Sequence, residues 1–110
     1  MAEIAGSVVY RQRIALPRGA IVEVAIADIS CPDPAAAILG RTEIVARGQQ
    51  VPLPFRIQYD EAAVEPDHRY LAKVRVTVGG RLRWTNDTAV PVLGGGPTEG
   101  IVVVVVPVKG

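Results

Sequence analysis

The sequence predicts an all-β fold, an antiparallel β-sandwich of seven or eight strands in a single domain, residues 1–110. Three observations carry that prediction. The apolar residues are mostly valine, isoleucine and alanine, with only 5% aromatics, and β-branched side chains suit a pleated, half-buried surface. The nine prolines and eleven glycines are spread along the chain, so turn signals recur at the spacing of short strands. Between them, several stretches alternate oily and polar residues with a period of two, as a strand with one buried face does.

Taken in order, residues 4–14 place Ile4, Val8, Tyr10 and Ile14 on one side and Ser7, Arg11 and Arg13 on the other, a first strand. "LPRG", Leu16 to Gly19, puts proline at the second position of a turn and glycine at the fourth. From Ala20 to Ile29 a second strand buries Val22, Val24 and Ile26 and leaves Glu23 wet. "SCPDPAAA" ends it in a loop. A third strand lies within Ile38 to Arg47 with Thr42, Ile44 and Ala46 on one face. A short helix through "PAAAILGRTEI" is the alternative there, because alanines favour helices.

"QVPLPFRIQY" alternates Val51, Leu53, Phe55, Ile57 and Tyr59 with Pro52, Pro54, Arg56 and Gln58. The two prolines remove donors from one edge, which predicts a sheet-edge strand or a bulge that resists a foreign strand. "YDEAAVEPDHRY" predicts a turn of helix or 3₁₀ crossing from one sheet to the other. Tyr70, opening the next strand, is placed as a tyrosine corner whose hydroxyl bonds back to that crossover.

In "YLAKVRVTVGGRLRWTND", Ala72, Val74 and Val76 must share a dry face with Leu82 and Trp84. A two-residue Gly79-Gly80 turn breaks that parity. A three-residue Val78-Gly79-Gly80 loop restores it by pairing Val76 with Leu82 and Val74 with Trp84, so that Gly80→Ala would cost more than Gly79→Ala. "VPVLGGGPTEG" is a flexible connection to a last strand, Ile101 to Val108. Both faces of that strand are apolar, so it lies centrally between covered surfaces or faces the other sheet and a loop.

Composition bounds the function. Twelve Lys and Arg against eleven Asp and Glu lack the cationic excess that phosphate-backbone binding needs, which excludes nucleic acid as a partner class. With one cysteine, Cys31, no internal disulfide forms and packing must hold the fold. The run Ile101 to Val106 is far shorter than the ~20 residues a membrane-spanning helix requires, so no transmembrane segment is expected. The start "MAEIAGSVVYRQR" lacks the features of a secretion signal, so the chain is expected to be cytoplasmic unless a leader has been removed.

No catalytic constellation is evident. His68 has Asp67 beside it but no nucleophile motif, and reads as an ordinary loop histidine. Structural zinc normally takes four Cys or His ligands where this chain has one of each, so neither metal nor cofactor is expected. Cys31 reads as an unremarkable thiol, and "GGGPTEG" lacks the Lys-Ser/Thr ending of a phosphate loop. Lys73, Arg75, Arg81 and Arg83 form a basic row on the outer face of the hairpin, extended by Arg11 and Arg13 if the strands are neighbours. It is a partner-binding face for acidic groups, or a solvated charged surface.

The order of motifs resembles the YbaY/YscW-type lipoprotein family. A pattern like G-x-V-x-Y-R-x-R-I-A-L-P-x-G-A-x-V-E-V matches from Gly6 to Val24, and a glycine-glutamine-x-V-P-x-P-F segment matches from Gly48 to Phe55 with one extra glutamine. The resemblance covers nearly the whole chain. It implies a small β-rich envelope domain, immunoglobulin-like or transthyretin-like, often tethered to the outer membrane through a lipidated N-terminal cysteine. Some members are pilotins, lipoprotein chaperones that help a type III secretion secretin reach or assemble in that membrane. Cys31, placed after a strand, does not stand in for the lipidated cysteine. The expected function is a non-enzymatic protein-binding or lipoprotein-chaperone module, periplasmic or outer-membrane-associated, whose partner is another envelope protein engaged through an exposed strand edge or loop face. The alternative is a soluble structural or accessory domain without a chaperone role.

Overall fold

Strands with one oily side can bury it only against another such surface, and here two sheets do so. The computed structural model describes residues 2–11, 16–30, 38–48, 52–93 and 98–108. Its strands are β1 (Ala2–Val9), β2 (Ile21–Asp28), β3 (Ile38–Val45), β4 (Leu53–Tyr59), β5 (Tyr70–Val78), β6 (Arg81–Thr85), β7 (Pro91–Val92), β8 (Ile101–Val104) and β9 (Val106–Pro107). One sheet has three strands in the order β4-β1-β8, and the other has six in the order β3-β2-β5-β6-β9 with β7 also beside β5. The expected all-β sandwich is therefore the fold. Its pairings are antiparallel except β1 with β8, which is parallel.

The core is the sum of the alternations. Ile4, Val8, Leu53, Phe55 and Ile57 of the smaller sheet are buried in one cluster with Val22, Val24, Ile26, Val74, Val76 and Trp84 of the larger. Tyr10 continues β1 far enough to stack on Trp84, with centroids 6.4 Å apart. β4 is an edge strand, as its prolines require, and Pro54 stands opposite Ser7. Residues 38–45 form a strand rather than a helix. The start of the alternative helix lies outside the described residues, as do Arg13, Ile14, Cys31, Val51 and 94–97.

The crossover from β4 to β5 is a single 3₁₀ turn, Glu61–Ala63, capped by the Asp60 carboxylate, which accepts from the Ala62 N–H. Tyr70 makes the expected corner: its ring is buried and its hydroxyl accepts from the Glu65 N–H at 2.8 Å. The earlier corner is shifted by one residue from the sequence reading. The Ala20 N–H donates to the Pro17 carbonyl at 3.0 Å and Gly19 has φ 85°, so proline is first and glycine third. Glycine decides this, because the third position of a type II turn needs positive φ.

The hairpin corrects the sequence reading more substantially. Val78 pairs with Arg81, Thr77 with Leu82 and Val76 with Trp84, with a register shift between Val76 and Thr77. The turn is the two-residue one, both glycines at positive φ (59° and 81°), a geometry whose twist matches the flanking strands. Parity is restored inside β6, where Arg83 is the extra residue of a bulge and its carbonyl accepts from the Val108 N–H at 2.9 Å. Leu82 is half-buried and off the dry face, and the expected asymmetry between Gly79→Ala and Gly80→Ala falls with the three-residue loop.

The last strand is broken rather than central. At Val105, whose N–H donates to the Val9 carbonyl at 2.8 Å, the chain passes from β8 in one sheet to β9 in the other. Ile101, Val103 and Val105 are buried against the core while Val102 is 54% exposed. Of the two expected placements, the one facing the other sheet and a loop is observed.

Candidate protein-binding groove

The loop that faces β8 exists because the chain leaves β6 early. After Thr85, the position that would continue the ladder against Val74 is Asn86, and its side chain replaces the backbone. The Val74 N–H donates to Asn86 Oδ1 at 2.9 Å, and Asn86 Nδ2 donates to the Ala72 carbonyl at 3.3 Å and the Thr88 carbonyl at 3.2 Å. The Thr85 hydroxyl donates to the Val74 carbonyl at 2.9 Å, and the Ala72 N–H reaches the Val90 carbonyl at 2.9 Å. The Asn86 and Thr85 side chains, with the Val90 carbonyl, thus satisfy the edge of β5 between β6 and β7, which frees the backbone of 87–89 to swing outward.

Opposite this excursion runs the outward row of the last strand. Val102, Val104 and Val106 line a groove of about 590 Å³ with Ala89, Val90 and Pro91, and Arg11 and Asp87 supply the charges on its lining. β8 is the edge of its sheet, so no described strand occupies its second side. Close approach of β8 to β1 depends on Gly6: a Cβ there would collide with the Ile101 carbonyl oxygen and lie 2.9 Å from the Phe55 ring. An apolar groove beside an unpaired strand edge is suited to holding an extended or amphipathic segment of another protein.

The basic residues singled out in the sequence do not form one continuous row. Lys73 and Arg75 are exposed on β5, where Arg75 stands opposite Glu23. Arg81 is at the hairpin turn, and the bulged Arg83 lies 6.0 Å from the Trp84 ring. Arg11 lies at the groove instead of extending the hairpin face, because β1 belongs to the other sheet. Sequence reasoning missed Asn86 and the groove. The signals present were the Asn-Asp pair after Trp84-Thr85, which favours leaving a strand, and the two-faced valine run.

His68 has an ion-pair partner the sequence did not suggest. Its Nδ1 lies 2.7 Å from Oδ2 of Asp28, at the end of β2, rather than pairing with the adjacent Asp67. Around it the Ile29 N–H donates to the Arg69 carbonyl at 2.9 Å, the Arg69 N–H to Ser30 Oγ at 3.0 Å and the Ser30 N–H to Asp28 Oδ1 at 2.9 Å. The Asp28 hydrogen bond raises the His68 pKa above its ordinary 6.5, with burial opposing and the charges of Asp28, Asp67 and Glu65 assisting. A group whose pKa is raised by folding stabilises fully below its unfolded value and loses that contribution as pH rises through the folded value. Stability to denaturant is therefore expected to fall as the pH rises from the ordinary imidazole value through the raised one, and Asp28→Asn to flatten that slope. Equal slopes in urea titrations of the two proteins would refute the assignment.

Among the described residues no group of three or more His, Cys, Asp or Glu is placed to hold a metal ion, and no helix is long and apolar enough to cross a membrane.

A two-sheet sandwich with an open apolar groove along β8 defines an all-β sandwich fold. Residues 1–104 match the family model described as type III secretion system lipoprotein chaperone (YscW), and the chain belongs to that family. It is 32% identical over 96 residues to the uncharacterized lipoprotein YbaY of Escherichia coli (strain K12), covering 87% of this chain. The chain spans 50% of that curated relative's length. It is also similar to the solved structure of an alternative pilotin from the type II secretion system of Vibrio cholerae. That likeness has 35% identity and a TM-score of 0.85, and covers 99% of this chain and 98% of the other.

Proposed function

We propose that this chain is a pilotin-like chaperone module of the bacterial envelope that binds a secretin-class protein through the valine groove. The observation that carries the reading is the groove itself, with Val102 and Val104 on the open edge strand β8, and Val106 of β9 beyond them, lining it together with Val90 and Pro91. Membership of a lipoprotein-chaperone family and likeness to a pilotin support the class of partner. The mechanism needs no chemistry. An apolar segment of the client, which would otherwise be exposed to water or to aggregation, covers the valines, and β8 supplies backbone groups to an extended portion of it. Lys73, Arg75, Arg81 and Arg83 are proposed to assist by attracting acidic parts of the client, an effect on encounter more than on the final affinity.

The test is binding of a purified secretin from the same organism, measured by calorimetry. Val102→Glu, at an exposed position, should leave the fold intact and weaken binding about tenfold or more, since it places a charge in an apolar contact. No binding by the parent chain, or unchanged binding by Val102→Glu, would sink the reading and favour an accessory domain without a chaperone role.

A further inference from the structure

We infer that β3 is a self-complementary edge through which two copies of this chain pair, extending the larger sheet across a two-fold axis at Thr42. β3 ends the six-stranded sheet, so no described strand pairs with its second edge. Its inner side is already occupied, since a Cβ on Gly40 would lie 2.9 Å from the Gln58 carbonyl oxygen of β4. Its outer side presents Arg41, Glu43 and Val45, all exposed.

The charges on this edge are imperfectly settled within one copy. Glu23 is paired loosely with Arg41 at 3.9 Å and also faces Arg75 across β2 and β5. Glu43 stands directly opposite Glu23, a like-charge cross-strand pair, and has no ion-pair or hydrogen-bond partner among the described residues. Like charges directly opposite each other are unfavourable. A cation brought to Glu43 from outside relieves that contact.

A second copy brings one. For antiparallel addition that continues the same sheet, outward residues must oppose outward residues, which excludes every register slipped by one. Of the neighbouring registers that remain, one opposes Arg41 to Arg41 and another Glu43 to Glu43. The register centred on Thr42 sets each Arg41 against the other copy's Glu43, twice by symmetry, and Gly40 against Ile44. Other edges are poorer: β4 carries Pro54, β9 is two residues long and ends in proline, and β8 lines the groove already described. The interface is small, so the pairing is weak and concentration-dependent.

Sedimentation equilibrium across a concentration series tests this. The parent chain should show a monomer–dimer equilibrium that weakens with added salt. Arg41→Glu should raise the dimer dissociation constant about tenfold or more, because both symmetric pairs become repulsive. The double exchange Arg41→Glu with Glu43→Arg should restore it, although it removes the Arg41–Glu23 contact, and Trp84 fluorescence verifies the fold of each variant. A parent chain that is monomeric at every concentration, an Arg41→Glu protein that dimerises as the parent does, or a folded double variant that stays monomeric overturns the proposal. The inference goes beyond the chaperone reading: Val102→Glu tests the groove and leaves β3 untouched, so the two ideas fail separately.

Discussion

Gly6→Ala is expected to lower the unfolding free energy by about 3 kcal/mol or more, among the largest effects for a single methyl group in this chain. Gly6 pairs with Phe55 on one side and Ile101 on the other, at the centre of the three-stranded sheet. The atom a Cβ would strike is the Ile101 backbone carbonyl oxygen, and the Phe55 ring closes the remaining space at 2.9 Å. A backbone carbonyl cannot rotate away as a side-chain end can, so β8 must separate from β1 or tilt. Urea unfolding followed by Trp84 fluorescence measures the loss, and amide exchange should localise it to Val103 and Val105. A change below about 1 kcal/mol would mean that the sheet absorbs the methyl and that the close approach is not required.

Asn86→Ala is expected to cost about 2–4 kcal/mol, because it strands a buried strand's polar groups rather than removing volume. Without the side-chain amide, the Val74 N–H and the Ala72 carbonyl lose their partners, and Val74 has no exposed surface from which water restores them. Asn86→Asp discriminates the mechanism. The carboxylate still accepts from Val74, but it sets negative charge against the carbonyls of Ala72 and Thr88, so a comparable loss is expected. If Asn86→Asp is as stable as the parent, the donated half of this bridge carries nothing. Both variants should also loosen 87–90, linking a hydrogen-bond bridge in the sheet to the shape of the groove.

Much of the fold was legible because period-two burial is a local property. The burial of Val22, Val24 and Ile26 in β2, the alternation of β4, the prolines that make β4 an edge, and the Tyr70 corner each depend on residues close in sequence and are found as read. On the other face of β2, by contrast, Ala25 and Ala27 are also buried and Glu23 is half-buried. The hairpin shows the limit. Parity required one extra residue between Val76 and Trp84, and sequence spacing established that much. Whether the residue sat in the turn or in the strand depended on Val108, which donates to the Arg83 carbonyl from the far end of the chain. His68 is a similar case, since the neighbouring Asp67 is outcompeted by Asp28, forty residues away.

By itself, then, the sequence determined the all-β class, the strands that alternate, the faces they bury and the family, because each rests on spacing or motif within a short window. Only the tertiary structure decided that the valine run splits between two sheets, that Asn86 stands in for a strand, and that a groove opens between them. Those outcomes are set by competition for backbone partners among strands distant in sequence. Valines at 102 to 106 satisfy a buried central strand and an open groove wall equally well until the neighbours are known.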